Sequence, residues 1–159
     1  MANELAAGDR APAFKLATPD GEISSAALKG KPYVLYFYPK DDTSGCTKEA
    51  IDFSENARKF KSLGVEIVGV SKDSLESHEK FRKKYALKLR LGSDPEKNAA
   101  EAYGVWVQKK LYGRTYMGMD RATFLIDGKG FIRRIWRKVK VPGHAEAVLA
   151  AAKEAVSMS

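Results

Sequence analysis

The sequence predicts an α/β fold in which a central mixed β-sheet is flanked by helices, with an N-terminal β-hairpin in front. Three observations predict it. Two nearly continuous apolar runs, within "KPYVLYFYP" (Tyr33 to Tyr38) and "VEIVGVS" (Val65 to Ser71), have the character of strands buried on both faces. A stretch with apolar residues at helical spacing follows each of them. Two more apolar segments, "ATFLID" and "FIRRIWR", are joined by "DGKG", a hairpin turn from Asp127 to Gly130.

The elements follow in order. "PAFKLATPDGEI" reads as a short hairpin turning at Pro19-Asp20-Gly21. After the first buried strand a helix is expected, with its start near Thr43 to Gly45, where a hydroxyl can cap it. Ala50, Phe53, Ala57 and Phe60 mark its inner face and Gly64 stops it. "DSLESHEKFRKKYAL" is a second helix, with Leu75, His78, Phe81 and Tyr85 as its inner stripe. Its Glu76/Lys80 and Glu79/Lys83 pairs stand at the favourable four-residue spacing. "NAAEAYG" is a short helix closed by Gly104, "VWVQ" and "GRTYMGM" are short outer segments, and "GHAEAVLAAAKEAV" is a closing helix. This layout is that of thioredoxin-like folds, and one domain over 1–159 accommodates it.

Composition narrows the function. The chain has 159 residues, 44% of them hydrophobic and 30% charged, as in ordinary globular proteins. No apolar run approaches the roughly 20 residues of a membrane span. "MANELAAGDRAPAF" lacks a basic region followed by an apolar one, so no signal peptide is expected. Net charge is +8, densest in "RRIWRKVK", Arg133 to Lys140. A solvated face explains that run more simply than nucleic-acid binding, which is not expected. The chain holds one cysteine, Cys46. That excludes an internal disulfide, a C-x-x-C motif and a cysteine-rich zinc site, and it suits the reducing cytoplasm.

Cys46 lies in "YFYPKDDTSGCTKEA", a turn-rich loop between strand and helix. Its polar flanks argue against core filling and for an accessible or half-buried turn. A helix beginning here puts the thiol in the first turn, where unpaired N–H groups and the helix dipole favour a thiolate. Thr43 can point its hydroxyl at the same spot, and Pro39 can cover one side. Both histidines, His78 and His144, read as structural, and no cluster of metal ligands is present.

Pro39-x-x-x-Thr43-x-x-Cys46 resembles the active-site signature of peroxiredoxins. "FYPKDDTSGCTKEA" is similar to the form in the bacterioferritin-comigratory-protein, or peroxiredoxin Q, subfamily, where a proline usually stands in place of Ser44. "GDRAPAFKL", "YGVW" and "RATFLIDGKGFIRRIW" carry the resemblance across nearly the whole chain. It implies a peroxidase that needs no metal or organic cofactor. Cys46 would be the nucleophile, and Arg121 the arginine that holds thiolate and peroxide. Glu49 would orient Arg121 by an ion pair, although a solvated first-turn acid is an equal reading of Glu49.

One magnitude separates ionisation from catalysis. A thiol at its ordinary pKa of about 8.5 is roughly 3% ionised at pH 7. Complete ionisation therefore gains only about thirtyfold, and anything larger needs donors aimed at the leaving oxygen.

Many members of the subfamily carry a second, resolving cysteine, five residues after the first or in the next helix. Here those places hold Ile51 and, by apparent alignment, Arg82. The resemblance thus implies a one-cysteine peroxidase recycled by an external thiol: thioredoxin, or glutaredoxin with glutathione. A monomer or weak homodimer is expected. Other readings are a peroxide sensor that passes its oxidation to another protein, and a non-enzymatic basic binding protein on the same fold.

Overall fold

The computed structural model describes residues 4–157. The expected absence of a leader and the limits of the expected 1–159 domain involve residues 1–3 and 158–159, which lie outside the described residues.

The β1 (Lys15–Thr18) and β2 (Gly21–Ser24) strands form the expected hairpin, and β3 (Tyr33–Phe37) is the first buried strand. Then come α1 (Ser44–Glu55), α2 (Ala57–Ser62), β4 (Glu66–Ser71), α3 (Leu75–Tyr85), β5 (Arg90–Ser93) and α4 (Asn98–Ala102). The β6 (Trp106–Leu111), β7 (Arg114–Met119), β8 (Ala122–Ile126) and β9 (Ile132–Trp136) strands and α5 (His144–Ser157) complete the order. Seven strands form one sheet in the order β2-β1-β5-β4-β3-β8-β9. β3 is parallel to β4 and antiparallel to β8, so the sheet is mixed as expected.

Alternation along β3 builds the two halves of the core. Val34 and Tyr36 face the side covered by α1, α2, α3 and α5. Tyr33, Leu35 and Phe37 face the side covered by α4 and by Phe14, Leu16 and Leu28. Every residue of β3 is buried, which is why its sequence shows no polar alternation.

Four details depart from the sequence reading. The helix expected from Thr43 to Gly64 is broken at Asn56, whose side chain donates to the Asp52 carbonyl at 2.8 Å while its backbone N–H bonds Phe53 O. Asparagine competes with the helical ladder in this way. Leu75 is 42% exposed and does not belong to the inner stripe of α3, because it is the first residue of the helix, beyond the edge of the core. β5 was not expected. Its four residues "RLGS" include an exposed-type arginine and a glycine, yet they join the N-terminal hairpin to the sheet through the Ala17–Ser93 pair. Finally, the outer segments pair with each other as a separate two-stranded sheet, β6-β7.

Gly69 of β4 pairs with Tyr36 of β3, and a Cβ there would stand 2.7 Å from Tyr36 Cζ. Tyr36 in turn stacks on Phe53 of α1, with ring centroids 4.7 Å apart. Gly69→Ala is therefore expected to destabilise the fold by about 1–3 kcal/mol through overpacking, read as a lowered urea midpoint with an unchanged slope. An unchanged midpoint would mean that the Tyr36 ring relaxes freely.

Candidate active site

The loop after β3 places Cys46 by local geometry. Tyr38 N donates to Val70 O at 3.0 Å, which extends the β3–β4 pairing to the strand's end. Pro39, half-buried, then bends the chain. Asp42 takes a left-handed φ of 58°, a conformation that aspartate tolerates better than most residues. α1 starts at Ser44, and its first internal bond runs from Thr47 N to Thr43 O at 2.8 Å. Cys46 is thus the third helical residue. The N–H groups before Thr47 have no partner within the helix, and the first turn carries no acid.

Strand register supplies Arg121. The last β3–β8 rung pairs Phe37 with Ala122, so Arg121 sits one step past it, beside the loop that carries Cys46. Its Nη2 donates to Cys46 Sγ at 3.4 Å, and its Nη1 donates to Glu49 Oε1 at 2.7 Å. Cys46 and Glu49 are three residues apart, neighbours on one helical face. Gly45 completes the fit. A Cβ on it would stand 3.2 Å from Arg121 Nη2, so a larger residue would push the guanidinium away.

Some expectations need correction. Cys46 is only 1% exposed and packs within the core beneath α1, so it is not an accessible or half-buried turn residue. Of its polar flanks, Asp42, Thr43, Ser44 and Lys48 are exposed, whereas Asp41 and Glu49 are buried with it. The expected Thr43 cap is absent: Thr43 occupies the N-cap position, but its hydroxyl donates to Lys40 O at 2.9 Å and is not seen bonded to Cys46. Glu49 is 1% exposed and paired with Arg121, which excludes the solvated-acid reading.

The sequence reading missed the supports. Gly45, placed by the sequence only at the helix start, also makes room for Arg121. Asp41 and Asp42, read only as polar flanks, tie the loop to α3. Asp41 accepts from Tyr38 at 2.5 Å and Ser77 at 2.7 Å, with His78 Nδ1 2.7 Å away. Asp42 accepts from Lys84 at 2.8 Å and from Tyr85 at 2.6 Å. The aspartate pair "DD" at a turn was the one available signal. Both histidines are structural in their contacts. His144 shares a 2.8 Å hydrogen bond with Thr123 and packs between Phe53 and Trp136.

Electrostatics concentrate around the guanidinium. Burial pushes the Glu49 carboxyl up to about 7, against the pull of Arg121. Burial, helped by the charge of Arg121, pushes His144 down to about 4. Tyr36 is raised well above its ordinary value by burial, then by Glu49 and Cys46. For Arg121, burial alone would lower the pKa, but Glu49 and Cys46 outweigh it and the net shift is upward.

Glu49 and His144 act on stability with opposite signs. Glu49 keeps in the fold a proton that the unfolded chain has lost, so its stabilisation is full below 4.5 and falls as pH rises toward about 7. His144 stays neutral in the fold while the unfolded chain protonates, so its share is full above 6.5 and falls as pH drops toward about 4. Glu49→Gln removes the first slope and leaves the second. Between pH 4.5 and 6.5, the variant's unfolding free energy is expected to rise with pH more steeply than the parent's, by up to about 1.4 kcal/mol per pH unit. Urea melts across that range measure it, and parallel curves would refute the assignment to Glu49.

The chain is similar to known proteins in sequence and fold. Residues 7–135 match the AhpC/TSA family. The putative peroxiredoxin bcp of Coxiella burnetii is 48% identical over 89% of this chain and 95% of its own length. Peroxiredoxin Bcp of Bacillus subtilis is 47% identical over 92% and 94%. The bacterioferritin comigratory protein of Xanthomonas campestris, whose structures concern its alkyl peroxide reduction activity, superposes with a TM-score of 0.86 at 40% identity, covering 90% of this chain and 92% of that one. A cysteine-to-serine mutant of Xylella fastidiosa PrxQ gives 0.90 at 33% identity, over 96% and 98%. With its thioredoxin-like sheet and its single thiol, the chain belongs to the AhpC/TSA family and is a peroxiredoxin of the Bcp, or peroxiredoxin Q, kind.

Proposed function

We propose that the chain reduces hydrogen peroxide and alkyl hydroperoxides through a sulfenic acid on Cys46 and is recycled by an external thiol. The observation that carries this reading is the Arg121 fork, which donates to Cys46 Sγ with one nitrogen and to Glu49 with the other. The Cys46 thiolate attacks the terminal peroxide oxygen. An S–O bond forms, the O–O bond breaks, and its electron pair leaves on the departing oxygen, which takes a proton to become water or an alcohol. Sulfur is oxidised by two electrons and the peroxide reduced by two.

Each site residue has a part in this proposal. Arg121 stabilises charge on the sulfur and on the leaving oxygen, and its planar fork suits both. Glu49 holds the guanidinium at that angle. The Cys46 N–H, in the first turn of α1, is a further donor. Thr43 would join the donors if its hydroxyl turned from Lys40 O toward the substrate, and Pro39 shields the thiol from water. None of this calls for a metal or organic cofactor.

Recycling follows from the inventory of thiols. An incoming thiol displaces water from the sulfenic acid to give a mixed disulfide at Cys46. A second thiol then attacks the reductant's sulfur and releases the Cys46 thiolate. Thioredoxin and glutaredoxin with glutathione are the candidate reductants. We place the chain in the cytoplasm as a single-domain monomer or weak homodimer. No helix among the described residues is long and apolar enough to cross a membrane, and the lone thiol suits a reducing compartment.

Cys46→Ser is expected to abolish peroxide consumption with the fold intact by circular dichroism; full residual activity would overturn the reading. Arg121→Ala is expected to slow oxidation by more than the roughly thirtyfold that thiol ionisation can explain. Stopped-flow rates taken above the variant's thiol pKa decide this, because a deficit that vanishes there assigns Arg121 to ionisation alone. After one equivalent of peroxide without reductant, intact protein should gain about 16 Da and label with a sulfenic-acid probe. Rapid sulfenic-acid formation without turnover on any thiol system would favour the sensor reading.

A further inference from the structure

We infer that the outer half of the β6-β7 hairpin is the docking surface for an acidic protein reductant, a dithiol protein that recycles Cys46. The inference rests on the peroxidase reading above and adds to it the place where the reductant binds.

Four of the five exposed large hydrophobic side chains among the described residues lie in this hairpin: Leu111, Tyr112, Tyr116 and Met117. The hairpin forms its own sheet, apart from the seven-stranded one. Its register puts Lys109 opposite Tyr116 and Leu111 opposite Arg114, so these four share one face. Tyr116 lies across Gly118, where a Cβ would come within 3.3 Å of its ring. The glycine lets the tyrosine lie flat along the hairpin.

Local structure does not account for Tyr112. It is 95% exposed, with φ 51°, and Gly113 follows with φ 77°. Positive φ at both central residues marks a two-residue type I′ turn, for which asparagine-glycine is the favoured pair. A bulky tyrosine there costs conformational energy and gains no burial. Tyrosine is, however, among the residues enriched at protein interfaces.

Charge selects the occupant. Residues 105–119 carry Lys109, Lys110 and Arg114 and no acidic residue. A second copy docking by two-fold symmetry would bring like charges face to face. An acidic partner is complementary, and the lone thiol of this chain requires an outside reductant. Reach is adequate too. Tyr116 precedes Arg121 by five residues, at most about 18 Å of extended chain. A protein interface of about 800 Å² per partner is roughly 32 Å across. One partner can therefore cover the hairpin face while presenting a thiol at Cys46.

The test compares reductants. Tyr112→Asn with Tyr116→Thr removes both rings, and asparagine suits the turn, so folding is expected to survive. A second variant, Arg114→Glu, reverses charge at an exposed position of that face. Steady-state turnover is measured with a thioredoxin of acidic net charge, with glutaredoxin plus glutathione, and with dithiothreitol. The ring variant should raise KM for the protein reductant about tenfold while leaving dithiothreitol turnover and stopped-flow peroxide oxidation unchanged. The charge variant should do the same and flatten the salt dependence of kcat/KM. Unchanged KM in both variants overturns the docking surface. So does a parent that turns over on dithiothreitol or glutathione but on neither protein. Hairpin-dependent dimerisation in sedimentation, or hairpin-dependent binding of a single-stranded oligonucleotide in place of reductant docking, also overturns it. A parent whose Cys46 is never oxidised by peroxide fails at the earlier step and rejects the peroxidase reading itself.

Discussion

The Arg121 guanidinium is the constraint around which the rest of the site is built. Its side chain is 18% exposed, so its charge is largely removed from water and needs a partner. Glu49, one helical turn past Cys46, meets that need at 2.7 Å. The two anchor points come from segments 72 residues apart in the sequence. The helix follows directly from β3, while the arginine arrives only through the antiparallel pairing of β3 with β8. Gly45, Cys46 and Glu49 are thereby specified together. The first leaves room for the guanidinium, and the second and third accept hydrogen bonds from it.

This arrangement gives up stability where it is formed. Tyr36 Oη, Thr47 Oγ1 and Glu49 Oε2 are buried without hydrogen-bond partners among the described residues. Unsatisfied buried polar atoms cost about 1–3 kcal/mol each. Two of the three belong to residues that feel the charge of Arg121, and Tyr36 feels that of Cys46 as well. The surrounding aromatic packing offsets the cost. Tyr36, Phe53, Phe60 and His144 form a continuous run of ring contacts from β3 to α5 under the helix that carries the thiol.

Most of the sheet was legible in the sequence because buried strands announce themselves as apolar runs, and "YVLYF" is buried throughout. β5 was not, because four residues containing arginine, glycine and serine have no hydrophobic signature. Their strand state comes from pairing with β4 and from the Ala17 bridge. Cys46, Arg121 and Glu49 could be picked out by resemblance, but their distances could not, since those depend on strand register. The burial of Cys46 was misjudged for a related reason. Polar neighbours along the chain describe the outer face of a helical turn, whereas exposure is decided by what lies beneath it. Thr43 shows the limit at a single rotamer. Its position matched the expectation, but its hydroxyl satisfies Lys40 O.

The absence of a second thiol changes what α3 can be. By resemblance, its Arg82 stands where many relatives carry a resolving cysteine. Here Arg82 is bound to Asp20 in the β1-β2 turn and to Glu79 of its own helix. Ser77, His78, Lys84 and Tyr85 of the same helix hold Asp41 and Asp42 of the active-site loop. Asp73, just before the helix, accepts from Asp41 N at 2.8 Å. A helix that delivers a thiol to Cys46 must detach from its surroundings, and this one is fastened to the loop it would have to leave. The first turn of α1 is held separately, by Arg121 on Cys46 Sγ and by the Thr43 hydroxyl on Lys40 O. Asp41, Asp42 and α3 are thus tied into one unit beside the turn that carries Cys46, and a thiol at position 82 would have to break that unit to move.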